Sequence, residues 1–226
     1  IPYTKEGFFV EIGANDGKTG SFTYNLARIG WKGMNFEPVP SIFKKCCENH
    51  SNHENVKNFN VGLGSEESET EIVEAGTLST FDKNVIESYK NVPQFSNYFN
   101  NNKKHIVKIG VFDNYLSEFN VEKIDLLVLD VEGYEEEVLS GYKSINLIKP
   151  SIFIIEIADQ HPDLSKYDIM MKKYKWLRNF FKNNNYKLLV NDVVDNVYVR
   201  EDIYNTLDDK FKNRIKRLVR YPQYKD

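Results

Sequence analysis

Apolar and polar positions along this chain alternate between two periods, short β-rich runs and longer stretches with helical spacing. Phe8 to Ile12 is a compact apolar run closed by the turn Gly13-Ala14-Asn15-Asp16-Gly17. Phe22, Leu26, Ala27 and Ile29 then follow at helical spacing until Gly30, which predicts a strand, a tight turn and a helix. Gly33 to Glu37 predicts a second strand, broken by Pro38, and Ile42, Phe43 and Cys46 predict a helix over 41–49. Val56 to Leu63 reads as a third strand, and a short one is expected through Ile72 and Val73 after an acidic surface turn. Ile106 to Val111 is β-like. Ile124 to Asp130 is apolar on both faces and bounded by charge, the pattern of a covered central strand. A helix over 134–142, a buried strand over 151–157 and an aromatic-rich amphipathic helix over 167–182 follow. Strands at 186–190 and 197–199 are expected to pair as a hairpin. The alternation, with no repeat period, predicts an α/β three-layer sandwich around a mostly parallel seven-stranded sheet.

Two stretches fall outside this rhythm. Residues 84–104 combine Tyr89, Phe95, Tyr98 and Phe99 with the run Asn100-Asn-Asn-Lys-Lys104, and read as an excursion over a site, a lid or acceptor-binding insertion. The end of the chain, 203–226, reads as a basic amphipathic helix with Phe211, Ile215, Leu218 and Val219 on one stripe.

Length and composition narrow the possibilities. At 226 residues the chain fits a single domain. It opens on Ile1 with no initiator Met, as would a domain excised from a longer multidomain protein or a processed terminus. No apolar run reaches the roughly 18 residues of a membrane span, so no stable membrane insertion is expected. The 30 basic and 33 acidic residues nearly cancel to a formal charge of −3, which makes nucleic acid a poor partner. The two cysteines, Cys46 and Cys47, are neighbours on a predicted helix and point apart, so no disulfide framework is expected and cytoplasm is the natural compartment.

Candidate chemistry lies at the strand ends, where open parallel sheets bind ligands. The first turn places glycines at 13, 17 and 20, which misses the dinucleotide fingerprint G-x-G-x-x-G. Glu11 before the loop and Asn15 and Asp16 within it suit an ammonium group better than a pyrophosphate. Glu37 ends the second strand, where a carboxylate can accept hydrogen bonds from both ribose hydroxyls, with Pro38 holding the chain out of helix geometry. Asp130 ends the central strand and Glu132 follows in its loop, while Glu135, Glu136 and Glu137 sit where acids complement a helix dipole. Glu156 ends the next strand, ahead of Asp159, Gln160 and His161. Such carboxylates can hold a cation or act as a base, although acids in loops also serve only solubility.

The segments FFVEIGANDGKTG, NFEPVP, NVGLGS and IDLLVLDVEGYEEEVLSG resemble the FkbM family of S-adenosylmethionine-dependent methyltransferases, and NYKLLVNDVVDNVYVRED resembles its closing hairpin; together they span roughly residues 6–202. The resemblance implies a Rossmann-like class I fold with a C-terminal antiparallel hairpin. It implies that Glu11, Gly13, Asn15, Asp16 and Gly17 surround the methionine part of the cofactor, that Glu37 and Pro38 hold the ribose, and that Asn60, Val61 and Gly62 border the adenine. Asp130 would close the cofactor site. The expected reaction is O-methylation of a sugar or glycan hydroxyl, with covalent linkage to other enzymatic domains such as a glycosyltransferase as a further expectation. A lipid, polyketide or other small-molecule hydroxyl is the alternative acceptor, and a non-catalytic nucleotide-binding module the alternative role. Adjacent strands lie about 4.8 Å apart, so Asp130 and Glu156 are expected to share a divalent cation, Mg²⁺ or Mn²⁺, with Glu132 or His161 as base. A metal-free site with one acid protonated is the competing arrangement.

Overall fold

A computed structural model describes residues 6–100 and 103–218 of the chain. In chain order the elements are β1 (Phe8–Ile12), α1 (Tyr24–Arg28), β2 (Lys32–Phe36), α2 (Pro40–Asn49), β3 (Val56–Phe59), β4 (Gly62–Gly64), β5 (Ser68–Glu74), α3 (Lys83–Lys90), α4 (Pro93–Ser96), β6 (Lys103–Val111), α5 (Phe112–Glu118), β7 (Leu126–Leu129), α6 (Glu135–Gly141), β8 (Ile152–Glu156), α7 (Asp168–Asn183), β9 (Tyr186–Asn191), β10 (Asp195–Arg200), α8 (Glu201–Thr206) and α9 (Asp209–Leu218).

Seven strands form one sheet in the order β3-β2-β1-β7-β8-β10-β9. The run from β3 to β8 is parallel, and β10 pairs antiparallel with both β8 and β9. Because side chains alternate across a strand, Val10 and Ile12 enter the main core while Phe9 between them packs with Ala27, Val56, Leu26 and Trp31 on the opposite face. β10 divides in the same way, Tyr198 facing the main core and Val197 and Val199 packing with Ile203, Leu207 and Ile215. These two covered faces make the expected three-layer α/β sandwich with its antiparallel hairpin.

The remaining strands depart from the sequence reading. The run from Val56 to Leu63 is not one strand. Asn60 and Val61 carry the chain out of the large sheet, and β4 joins a second sheet of order β4-β6-β5. β5 is longer than the expected touch at Ile72 and Val73, spanning seven residues against β6. α5 had no counterpart in the sequence reading.

The segment 84–104 packs more deeply than its asparagine-rich composition suggests. Its helix α3 buries Val85, Ile86 and Tyr89, and Val92 and Phe99 join them in the main core. Burial of this kind contributes roughly 1.5–3 kcal/mol per large apolar side chain, so the segment is part of the core and not a loose excursion. Of its four aromatics, which an acceptor-binding insertion would present to a sugar, Tyr89 and Phe99 are 2% and 6% exposed and offer it no face, Phe95 is half-buried and Tyr98 is exposed. At the chain end, α9 occupies part of the expected basic helix, and residues 219–226 lie outside the described residues. No helix among the described residues is long and apolar enough to cross a membrane.

Candidate active site

The strand order reverses between β1 and β7, and the carboxyl ends of these strands and of β2 and β8 converge there. Gly13 turns the chain at this point with φ +85°, its amide and that of Ala14 both donating to the Phe36 carbonyl at 3.0 Å. A Cβ on Gly13 would stand 1.7 Å from the Asp130 carbonyl oxygen, so only glycine lets β1 and β7 end side by side. Asn15 is also left-handed, at φ +49°, a conformation that Asn tolerates best among non-glycine residues. Its amide thereby reaches Glu37 Oε2 at 3.0 Å, while Glu37 Oε1 accepts the Val39 amide at 2.8 Å. Burial raises the Glu37 carboxyl to about 7, against the lowering effect of these two amides.

Gly13, Asn15, Glu37, Pro38, Asp130, Val131 and Glu132 line one cleft. Its far wall is Ile72, Gly76, Thr77, Ser79 and Phe81, from a stretch to which the sequence reading gave no site role. The available signal was the Gly-Thr-Leu-Ser-Thr run between two apolar residues, a loop composition next to a strand.

Other expected cofactor residues act at one remove. Glu11 is turned to the α1 side, where its Oε2 accepts from Ser21 at 2.8 Å and Thr23 at 2.5 Å; it is buried and does not line the cleft. Asp16 is used within its own turn, accepting from the Lys18 and Thr19 amides at 2.9 and 2.7 Å. Gly17 is left-handed at φ +70° and is crowded by Cys46 and His50. Asn60 donates to the carbonyls of Glu37 and Pro38, both at 2.9 Å, and so braces the turn that presents Glu37. Val61 and Gly62 are buried, and Gly62 packs against Ile109 and Phe81.

Three carboxylates meet at the cleft's edge. One oxygen each from Asp130, Glu132 and Glu156 lie within 4.8 Å of one another, because β7 and β8 are adjacent and the loop after β7 folds back. Asp130 opens to solvent but is closely surrounded by protein, and desolvation, then Glu135, Asp195 and Glu11, raise its carboxyl to about 7. Desolvation and the neighbouring acids push Glu132 and Glu156 well above the usual carboxylate range. Two carboxylates as close as Asp130 and Glu156 repel each other unless a proton or a cation stands between them. Glu132 holds φ +53°. Its Oε2 accepts the Tyr89 phenol and its carbonyl accepts the Thr80 hydroxyl, both at 2.7 Å. Glu135 caps the loop, accepting from the Val131 and Gly133 amides at 3.2 Å.

His161 stands apart from this trio. Its Nδ1 accepts the amides of Asp163 and Leu164 at 3.2 and 3.3 Å, and its ring packs beside Phe95. A nitrogen that caps its own turn is not available as a base there. Asp159 is bound to Arg178 at 2.8 Å.

A family model described as the methyltransferase FkbM domain matches residues 11–188. No curated protein matches the chain. Among solved structures the chain is similar to a Methanococcus jannaschii fibrillarin pre-rRNA processing protein, with 17% identity, 89% of this chain and 69% of that chain covered, and a TM-score of 0.47. A fibrillarin/Nop5p complex gives 13% identity, 88% and 74% coverage and a TM-score of 0.46. An Aeropyrum pernix fibrillarin in complex with natively bound S-adenosyl-L-methionine gives 12%, 88% and 68%, and 0.45.

Proposed function

The chain belongs to the FkbM methyltransferase family, and from that premise we propose that it transfers the methyl group of S-adenosylmethionine to an oxygen, a hydroxyl of a sugar or glycan. The observation that carries this reading is the meeting of Asp130, Glu132 and Glu156 at the edge of a cleft that also presents Glu37, Gly13 and Asn15. The residues fit the cofactor. Gly13 leaves the cleft floor bare of side chain, and each Glu37 oxygen, with one amide bound, retains capacity for a ribose hydroxyl. Glu37 and Pro38 would hold the ribose, Asn15 and the Gly13 backbone the methionine portion, and Phe81 and Ile72 offer apolar surface to the base. When bound there, S-adenosylmethionine supplies a methyl group on a sulfonium, already activated towards attack.

The protein's own task is to orient the acceptor, exclude water and take one proton. A sugar hydroxyl is a poor nucleophile at neutral pH, so its proton must leave as attack proceeds. Glu132 is suited to receive it in its ionised form, which the Tyr89 phenol stabilises by donating to Oε2 at 2.7 Å and which a cation on Asp130 and Glu156 would favour against the desolvation and neighbouring acids that raise its carboxyl. Asp130 and Glu156 supply hard oxygen donors at a spacing that suits a divalent cation, Mg²⁺ or Mn²⁺, whose charge would offset their mutual repulsion. The polar edge and exposed Asp130 favour a hydroxylated acceptor over a lipid, which would need an apolar tunnel.

Incubation with methyl-labelled cofactor and a panel of methyl-free glycans, after chelation and again with Mg²⁺ or Mn²⁺, tests the reading. Label should enter the glycan as an ether. Cofactor binding without transfer to any acceptor would identify a binding module instead, and full turnover after exhaustive chelation would remove the cation.

A further inference from the structure

The segment from Thr80 to Tyr89 grips the loop that carries Glu132 at several points. The Thr80 hydroxyl binds the Glu132 carbonyl and the Tyr89 phenol binds its carboxylate, each bond 2.7 Å long and each donor buried. Val85 Cγ2 lies 2.5 Å from where a Cβ on Gly133 would stand, so the helix also presses on the next residue of the loop. Asp82 caps α3 by accepting the Asn84 amide at 2.8 Å, and it pairs with Lys173 Nζ at 2.7 Å. That same Nζ donates to the Gly133 carbonyl at 2.7 Å.

A left-handed glutamate costs roughly 1–2 kcal/mol and persists only where its surroundings over-determine it. Here the over-determination comes from α3 and Lys173. Either Tyr89 or Thr80 could have served core packing alone, but both spend their hydroxyls on one residue, at its two ends.

We propose that Tyr89 and Thr80 are positioning residues for methyl transfer, holding the Glu132 carboxylate in one place and one orientation beside Asp130 and Glu156. The phenol fixes one carboxylate oxygen, and the other serves the acceptor proton. This rests on the reading of Glu132 as the base. A glutamate has three rotatable side-chain bonds, and a displacement of about 1 Å in a reacting group can cost on the order of a hundredfold in rate.

The test compares the whole chain with Tyr89→Phe, Thr80→Val and Thr80→Ser in two assays. One is turnover on the methyl-free glycan panel at saturating cofactor. The other is the carbon-13 signal of the Glu132 carboxylate in protein labelled at glutamate Cδ, assigned by its absence in Glu132→Gln. In Tyr89→Phe and Thr80→Val, kcat should fall about ten- to a hundredfold with the KM for cofactor unchanged, the carboxylate signal should move, and Thr80→Ser should restore both. An unchanged kcat overturns the proposal, as does an unmoved signal. If the unaltered chain methylates no glycan of the panel, the acceptor class fails, and the carbon-13 signal then decides for or against the positioning role by itself.

Discussion

The ribose role proposed for Glu37 couples proton binding to cofactor binding. Its carboxyl is 6% exposed and is raised by burial to about 7, so at mildly acid pH it is neutral. Ribose hydroxyls donate hydrogen bonds, and the ionised carboxylate accepts them more strongly, so binding favours the form that has lost its proton. With a pKa of about 7, about 3% of sites are ionised at pH 5.5 and about 90% at pH 8, a ratio of about thirty that corresponds to about 2 kcal/mol. Affinity for S-adenosylmethionine should therefore rise about thirtyfold between these pH values. Folding of the ligand-free chain moves the other way. The folded state holds this proton more tightly than the unfolded one, so the group's stabilisation is complete below 4.5 and is lost as pH rises to about 7. Calorimetric titration at several pH values reads the binding arm, and Glu37→Gln should flatten it, because an amide does not titrate. Titration of the ligand's own ammonium is common to both proteins and cancels in their ratio. A pH-independent affinity would refute the coupling. So would a slope that survives in Glu37→Gln and vanishes in Asp130→Asn, since Asp130 lines the same cleft and is likewise raised to about 7.

Three further outcomes follow from the packing. Gly13→Ala puts a methyl 1.7 Å from the Asp130 carbonyl at a positive φ, and should cost about 3 kcal/mol or more and abolish cofactor binding; a thermal melt within about 2 °C of the parent would show that the strand ends can part freely. Arg178 binds Asp159 twice, at 2.9 and 2.8 Å, and also Asn191, Asn196 and Tyr198, tying α7 to the hairpin, so Arg178→Met should lower stability by about 2–4 kcal/mol in urea; a loss below about 0.5 kcal/mol contradicts this. Deleting residues 91–100 removes the buried Val92 and Phe99 and should destroy cooperative unfolding, whereas a sharp, parent-like melt would restore the segment's status as a dispensable lid.

The large sheet was readable because its strands carry their own punctuation. Gly13, Gly30, Pro38 and the charges around 124–130 mark where elements stop, and a strand apolar on both faces has few alternatives. α5 was missed because it begins at Phe112 directly after β6, with no breaker between them, and shows only Phe112 and Leu116 as a buried pair. The break at Asn60 was hidden for a similar reason, since pairing partners and not local residues decide that β4 leaves the large sheet. Within the site, Gly13, Asn15, Glu37, Pro38 and Asp130 could be placed in one cleft from strand ends alone. Side-chain direction could not. Glu11 faces the α1 layer, and the clue was the pair of hydroxyls at Ser21 and Thr23 that needed an acceptor. Five residues beyond Glu156, His161 is close in sequence but capped into its own turn. The core role of the 84–104 stretch had a signal in Val85, Ile86 and Tyr89 at helical spacing, masked by the asparagines that follow.

The position of β1 also sets an order of events while the polypeptide is being made. One edge of β1 is taken early by β2, but its other edge waits for β7, and Phe8 reaches Asp125 across 117 residues. Until that stretch has left the ribosome, an apolar strand with open backbone groups stands at the margin of a half-built sheet, a surface that nascent chains commonly need chaperones to cover. Asp130 and Glu132 arrive at the same late moment, and Glu156 later still, so the site proposed for the cofactor and acceptor is complete only in a chain whose sheet has closed. A cofactor that binds only the closed form draws the last step forward by mass action, and its supply in the growing cell becomes part of how much finished enzyme accumulates.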